Sequence, residues 1–131
     1  MPTLDELRAV LAPLFPGLMG VNLLEATNDK VVATLVVRPD LCTTGRSMHG
    51  GAFMAFADTL GGVATFVNLP PNARTTTIES KTNFVGGCRG GTIQAEAKAI
   101  HKGKRTHVWE TRITDEKGKL LSVTTQTQMI L

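Results

Sequence analysis

Leu4, Leu7, Leu11 and Leu14 recur at the spacing that lines one face of a helix, and Thr3 with Glu6 three residues on makes a capping box at its start. The pattern predicts a short amphipathic helix, halted at Pro16 and Gly17. From Gly20 to Arg38 the chain turns β-branched. Val21 to Ala26 and Val31 to Val37 are strand-like runs divided by Asn28 and Asp29, the layout of a hairpin, and Pro39 closes it. A polar loop from Asp40 to Met48, with Gly45 inside it, leads into His49 to Val67, an alanine-rich apolar run too long for a strand. That run is predicted to be the central helix.

Beyond Pro70 and Pro71 the period changes to two. Ile93, Ala95, Ala97 and Ala99 alternate with Thr92, Gln94, Glu96 and Lys98, and Val123, Thr125 and Thr127 continue a similar alternation near the end. Glycine-bearing breaks at Gly86 to Gly91, Lys102 to Lys104 and Asp115 to Gly118, all read as turns of hairpin length, divide this stretch into four strands. The sum is an α+β architecture. One six-stranded antiparallel sheet and one long helix each hide a single apolar face against the other.

A chain of 131 residues is one domain, without room for a separate cofactor domain. At 42% hydrophobic and 19% charged it buries a core and lies far from the composition of disorder. A net charge of +3 is too mild to imply a nucleic-acid binder, and a single Trp with no Tyr gives no aromatic platform for stacked bases. Cys42 and Cys88 lie far apart without ligand spacing, which argues against a disulfide scaffold or a zinc site and makes a reducing cytoplasm the default. The three histidines are too scattered for a metal motif, so no metal or redox cofactor is implied. Asp5, Glu6 and Arg8 among the first leucines break any secretory signal pattern. Ala52 to Leu69 is apolar enough to suggest a membrane span, but Asp58 near its middle makes a core helix the better reading.

Two features of the central helix carry chemistry. His49-Gly50-Gly51 stands at its start, where the first N–H groups lack intrahelical acceptors and the dipole is positive, so the Gly50 or Gly51 amide is placed to polarise a carbonyl oxygen. The bland alternative is a flexible helix start. Asp58 is the only Asp, Glu, Lys or Arg between Arg46 and Arg74, set among Phe53, Met54, Phe56, Leu60 and Val63. It is either a solvent-facing position or a carboxylate poised as base or nucleophile beside an apolar pocket. Eight residues of helix separate Gly50 from Asp58 by about 12 Å, whereas both would have to lie about 3 Å from one reacting centre. A two-fold dimer with paired central helices resolves this, Gly50 of one subunit facing Asp58 of the other, with Gly61 and Gly62 permitting close approach.

The histidine, the paired glycines, the acid nine positions on and the four strands that follow resemble the hotdog-fold acyl-CoA thioesterases of the PaaI (phenylacetate-degradation) type, from about residue 18 to the end. The resemblance implies that Asp58 activates water or forms a transient anhydride, that Gly50 and Gly51 polarise the thioester carbonyl, and that His49 holds the loop and substrate. Six residues before the histidine such enzymes often carry a water-placing asparagine, where this chain has Thr43. They place a Ser or Thr beside the acid, and Thr77, with Thr76 as its neighbour, is the match. His101, Lys102, Gly103, Lys104, Arg105 and Thr106 are implied to hold the phosphates of coenzyme A; read without the resemblance, this is a solvated hairpin tip. A dimer or a dimer of dimers is implied as well.

Phe53, Met54, Phe56 and Phe66 either line an acyl tunnel or fill the core. No GxSxG elbow surrounds Ser47, Ser80 or Ser122, which disfavours hydrolysis by a serine nucleophile, and neither a Walker loop nor GxGxxG occurs. The alternatives to a thioesterase are a noncatalytic acyl-CoA-binding module and a hotdog hydratase or dehydratase. The latter typically pairs an acid with a histidine on a hydratase loop, and no such pair occurs near Asp40.

Overall fold

A computed structural model describes residues 1–131. The elements run α1 (Leu4–Leu11), α2 (Phe15–Met19), β1 (Asn22–Ala26), β2 (Lys30–Val36), α3 (Gly50–Phe66), β3 (Thr75–Phe84), β4 (Thr92–Lys102), β5 (Thr106–Thr114) and β6 (Leu120–Ile130). All six strands join one antiparallel sheet in the order β1-β2-β4-β5-β6-β3, with α3 packed on one face. This is the α+β arrangement expected from the two periodicities. No helix is long and apolar enough to cross a membrane.

The opening helix differs from the expectation. The capping box is present, Thr3 Oγ1 accepting the Glu6 N–H at 3.1 Å, but α1 ends at Leu11 and a second helix starts where an arrest was expected. Pro16 fits in the first turn of that helix because its missing N–H would go unused there and its fixed φ is already helical. Gly20 ends it at φ +90°, in the left-handed region that favours glycine. Arg38 donates to the Leu18 and Met19 carbonyls at 2.6 Å each, and Arg8 donates to the Leu23 carbonyl at 2.6 and 3.0 Å. Two guanidinium groups thus pin the N-terminal pair to the sheet.

The segment from Gly86 to Gly91 is not a hairpin turn. It carries the chain across the sheet, since β3 pairs with β6 at one edge while β4 lies between β2 and β5. Spacing alone marks a break but says nothing about which strand lies beside which. The core is formed by Phe53, Phe56, Leu60 and Val63 of α3 against Leu23, Leu35, Ile93, Trp109, Ile113 and Leu121 of the sheet. Phe53 and Phe56 are therefore core residues rather than tunnel walls. Inside the core the Trp109 indole N–H donates to Thr65 Oγ1 at 2.8 Å, which satisfies a group that burial would otherwise leave unpaired.

Candidate active site

Asp58 sits mid-helix on α3, half-buried, and meets β3 through Thr77, whose hydroxyl donates to Asp58 Oδ1 at 2.6 Å. Thr77 is held from behind. The Gln128 amide donates to Thr77 Oγ1 at 2.5 Å and to Gln126 Oε1 at 2.7 Å, while Thr75 Oγ1 donates to Gln128 Oε1 at 2.9 Å. Gln126 donates in turn to the Ala57 carbonyl at 2.9 Å, closing the network onto the helix one residue before Asp58. Because Gln128 occupies an acceptor site of Thr77, the threonine proton is directed to the carboxylate.

Both glutamines are fully buried. Sequence reasoning missed them, since it followed Val123, Thr125 and Thr127, whereas the phase of β6 that faces α3 is Thr124, Gln126 and Gln128. The available signal was a pair of amides two residues apart in the last strand, able to satisfy each other. Gly61 lies against this network: a Cβ there would stand 2.2 Å from the Gln126 amide. The close approach that it permits is to the chain's own sheet and not to a second subunit.

At the other end of α3, His49 is the N-cap, its Nδ1 accepting the Gly51 N–H at 2.7 Å. A Cβ on Gly51 would lie 2.9 Å from that nitrogen, so glycine gives the imidazole its seat. The Gly51 donor is engaged. The Gly50 N–H has no acceptor within the chain, which leaves it as the open donor of the pair. Phe84 of β3 stands over Gly50, where a Cβ would come within 3.2 Å of its ring, and meets Phe53 edge to face at 6.1 Å.

Asp58 opens into a cleft of about 460 Å³ between α3, the start of β3 and the N-terminal helices. Thr75, Thr76, Thr77 and Gln128 line it beside the acid; Val63 and Phe66 extend the α3 wall, and Leu7, Val10, Leu11 and Phe15 face them. The N-terminal pair, legible in sequence only as a short helix, is thus one side of the candidate site. Of the four residues weighed as a tunnel lining, only Phe66 reaches the cleft.

Thr43 lies elsewhere. It is exposed in the loop before α3, its N–H bonded to the Ser47 carbonyl at 2.8 Å, beside a separate hollow shared with Arg46 and Arg89. The basic turn sits at the same end of the sheet as Thr77. Thr77, Gln128, His107 and Lys102 are successive register partners across β3, β6, β5 and β4, so three strand spacings put Lys102 about 14 Å from Thr77.

Within that turn the residues differ in availability. Lys102 is tied to the β1–β2 turn, its Nζ 2.6 Å from Asp29 Oδ1 and 3.1 Å from the Asn28 carbonyl. The Gly103 N–H donates to the Thr106 carbonyl at 2.9 Å and shapes the turn. His101, Lys104 and Arg105 are exposed, and Thr106 is half-buried opposite Met129. His107 turns inward edge-on to Trp109; burial, with the charges of Lys102 and His101, lowers its pKa against a raising contribution from the Gly103 carbonyl. Arg74, immediately before Thr75, is exposed without an ion pair and is bonded through its backbone to Leu131. Its nearness to the cleft follows from β3 pairing with β6, which no local pattern announces.

Residues 45–122 match the family model described as the thioesterase superfamily, and the chain belongs to that family. It is similar to the 1,4-dihydroxy-2-naphthoyl-CoA hydrolase of Escherichia coli, with 29% identity over 98% of this chain and 95% of that one. A relative from Deinococcus radiodurans is 32% identical over 80% of this chain, which spans 66% of that longer protein. Among solved structures, a thioesterase from Pseudomonas aeruginosa superposes with a TM-score of 0.95 at 26% identity, covering 100% of this chain and 95% of that one. The hotdog architecture implied by the sequence resemblance is the one observed.

Proposed function

We propose that this chain is an acyl-CoA thioesterase that hydrolyses aryl- or fatty-acyl-CoA to free coenzyme A and a carboxylic acid. The observation that carries the reading is the Thr77-held carboxylate of Asp58 at the edge of an apolar cleft. Asp58 acts as general base, taking a proton from water as its oxygen attacks the thioester carbonyl, or as the nucleophile itself. The oxyanion that develops is stabilised by the Gly50 N–H. In the general-base route the tetrahedral intermediate collapses with cleavage of the carbon–sulfur bond, and the departing thiolate of coenzyme A takes up the proton held by Asp58. In the nucleophilic route the thiolate leaves as the Asp58–acyl anhydride forms, and water hydrolyses that anhydride to release the carboxylic acid and restore Asp58. Exposed Lys104 and Arg105, together with Arg74, supply positive charge for the phosphates at the cleft's end of the sheet.

Helix geometry keeps Gly50 and Asp58 of one chain about 12 Å apart, so the reading includes a dimer in which Gly50 of the partner subunit faces Asp58. The outer edge of β3 supports this. It is a ten-residue strand with no neighbour on that side, bearing Ile78 and Phe84 exposed and followed by exposed Val85. Two such edges paired about a two-fold axis would cover them. Dimers of this kind would then pair as a tetramer, and the compartment proposed is the cytoplasm.

The test is thiol release from a panel of acyl-CoAs. Asp58→Asn is expected to lower kcat by about 10²–10⁴-fold while acyl-CoA still binds. Unchanged turnover in that variant overturns the assignment of Asp58, and binding without hydrolysis by the unsubstituted protein across the panel would point instead to a noncatalytic module.

A further inference from the structure

Gly61 and Gly62 are neighbours in α3 with opposite surroundings. Gly61 is held against Gln126, whereas nothing lies within 4 Å of a Cβ built at Gly62, which lines the cleft. Gly62 follows Asp58 by four residues, one helical turn, so the space it leaves open lies on the face that carries the acid. A glycine inside a helix is destabilising relative to alanine, because it loses more backbone freedom on folding. Packing within the chain gives no reason for one here.

The cleft at that point is large and apolar. Its volume of about 460 Å³, set against about 30 Å³ for a water molecule in the liquid, corresponds to roughly fifteen waters, far beyond the needs of an acetyl group. Beyond the threonines and Gln128 near the acid, the walls are aliphatic or aromatic: Leu11 and Phe15 on one side, Val63 and Phe66 on the other. Asp58 is its only charged lining residue. A charged acyl terminus pushed in there would lose its water without gaining a partner.

We infer that the cleft receives a bulky apolar acyl group, an aromatic ring or a chain of medium length, between α3 and the N-terminal helix pair, and that Gly62 sets its upper size. This rests on the thioesterase reading and adds to it the residue that limits the acyl group.

The experiment measures kcat/KM of the full-length protein and of Gly62→Ala and Gly62→Leu with acetyl-CoA, benzoyl-CoA and octanoyl-CoA. The ratio of either bulky substrate to acetyl-CoA is expected to fall at least tenfold in Gly62→Leu and by a smaller factor in Gly62→Ala, with oligomeric mass preserved. An unshifted ratio in Gly62→Leu overturns the inference, as does an unsubstituted protein that prefers acetyl-CoA. Loss of oligomeric mass in Gly62→Leu also overturns it, because the glycine would then serve a subunit contact. Should the leucine variant fail to fold, the alanine ratio decides, and no shift there is equally fatal. Absence of turnover by the unsubstituted protein on every thioester is a different result: it removes the thioesterase reading, and the inference with it. Turnover with an unmoved ratio removes the inference alone.

Discussion

Thr77 has one hydroxyl proton, and the Gln128 amide decides where it points. With that amide donating at 2.5 Å, the Thr77 hydroxyl is left to donate to Asp58, and the carboxylate is held in one orientation toward the cleft. Gln128→Leu keeps the volume but removes the donor. We expect kcat to fall roughly tenfold to a hundredfold, in line with the cost of a misplaced reacting group, with KM little changed because Gln128 acts through Thr77. A raised KM with kcat intact, measured by steady-state thiol release, would show instead that the amide serves binding. Asp58 stands out in the sequence because one charge interrupts an apolar run; Gln126 and Gln128 do not, because a buried amide looks like a surface amide until its partners are known.

At the scale of elements, α3 and the sheet meet closely enough that two adjacent glycines have opposite fates. Gly61→Ala would drive a Cβ to 2.2 Å from a buried amide already bonded to the Ala57 carbonyl, and overpacking of this kind costs about 1–3 kcal/mol. Gly62→Ala meets nothing and is expected to stabilise by about 0.4–1 kcal/mol, mainly by restricting the unfolded chain. Urea midpoints of the two variants should move in opposite directions from the parent, and a common direction would contradict this packing. The helix and the first hairpin were legible because their periodicity runs over many residues. The five-residue α2 was not, since Pro16 and Gly17 read as a stop, and what holds it is Arg38, about twenty residues away in the chain.

The molecule as a whole presents one long unpaired edge, β3, and the proposed chemistry requires something to cover it. Ile78, 54% exposed on that strand, is the most direct probe. Ile78→Lys is expected to yield monomers by light scattering and to lose thiol release together with the dimer, because Asp58 would then lack a donor across from it. A fully active monomer would refute the composite site. By itself the sequence determined the elements with long regular patterns, the α+β class, the hotdog resemblance, and the separation of Gly50 from Asp58 along one helix. These follow from local periodicity and from the fixed rise of a helix. Only the tertiary structure decided the strand order, the buried phase of β6, the engagement of Gly51 by His49 and the N-terminal wall of the cleft. The bonds that hold the site join residues 19 apart for Thr77 and Asp58, 51 for Gln128 and Thr77, and 69 for Gln126 and Ala57. Contacts at such separations are set by how helix and sheet pack, and a pattern of neighbours along the chain does not contain them.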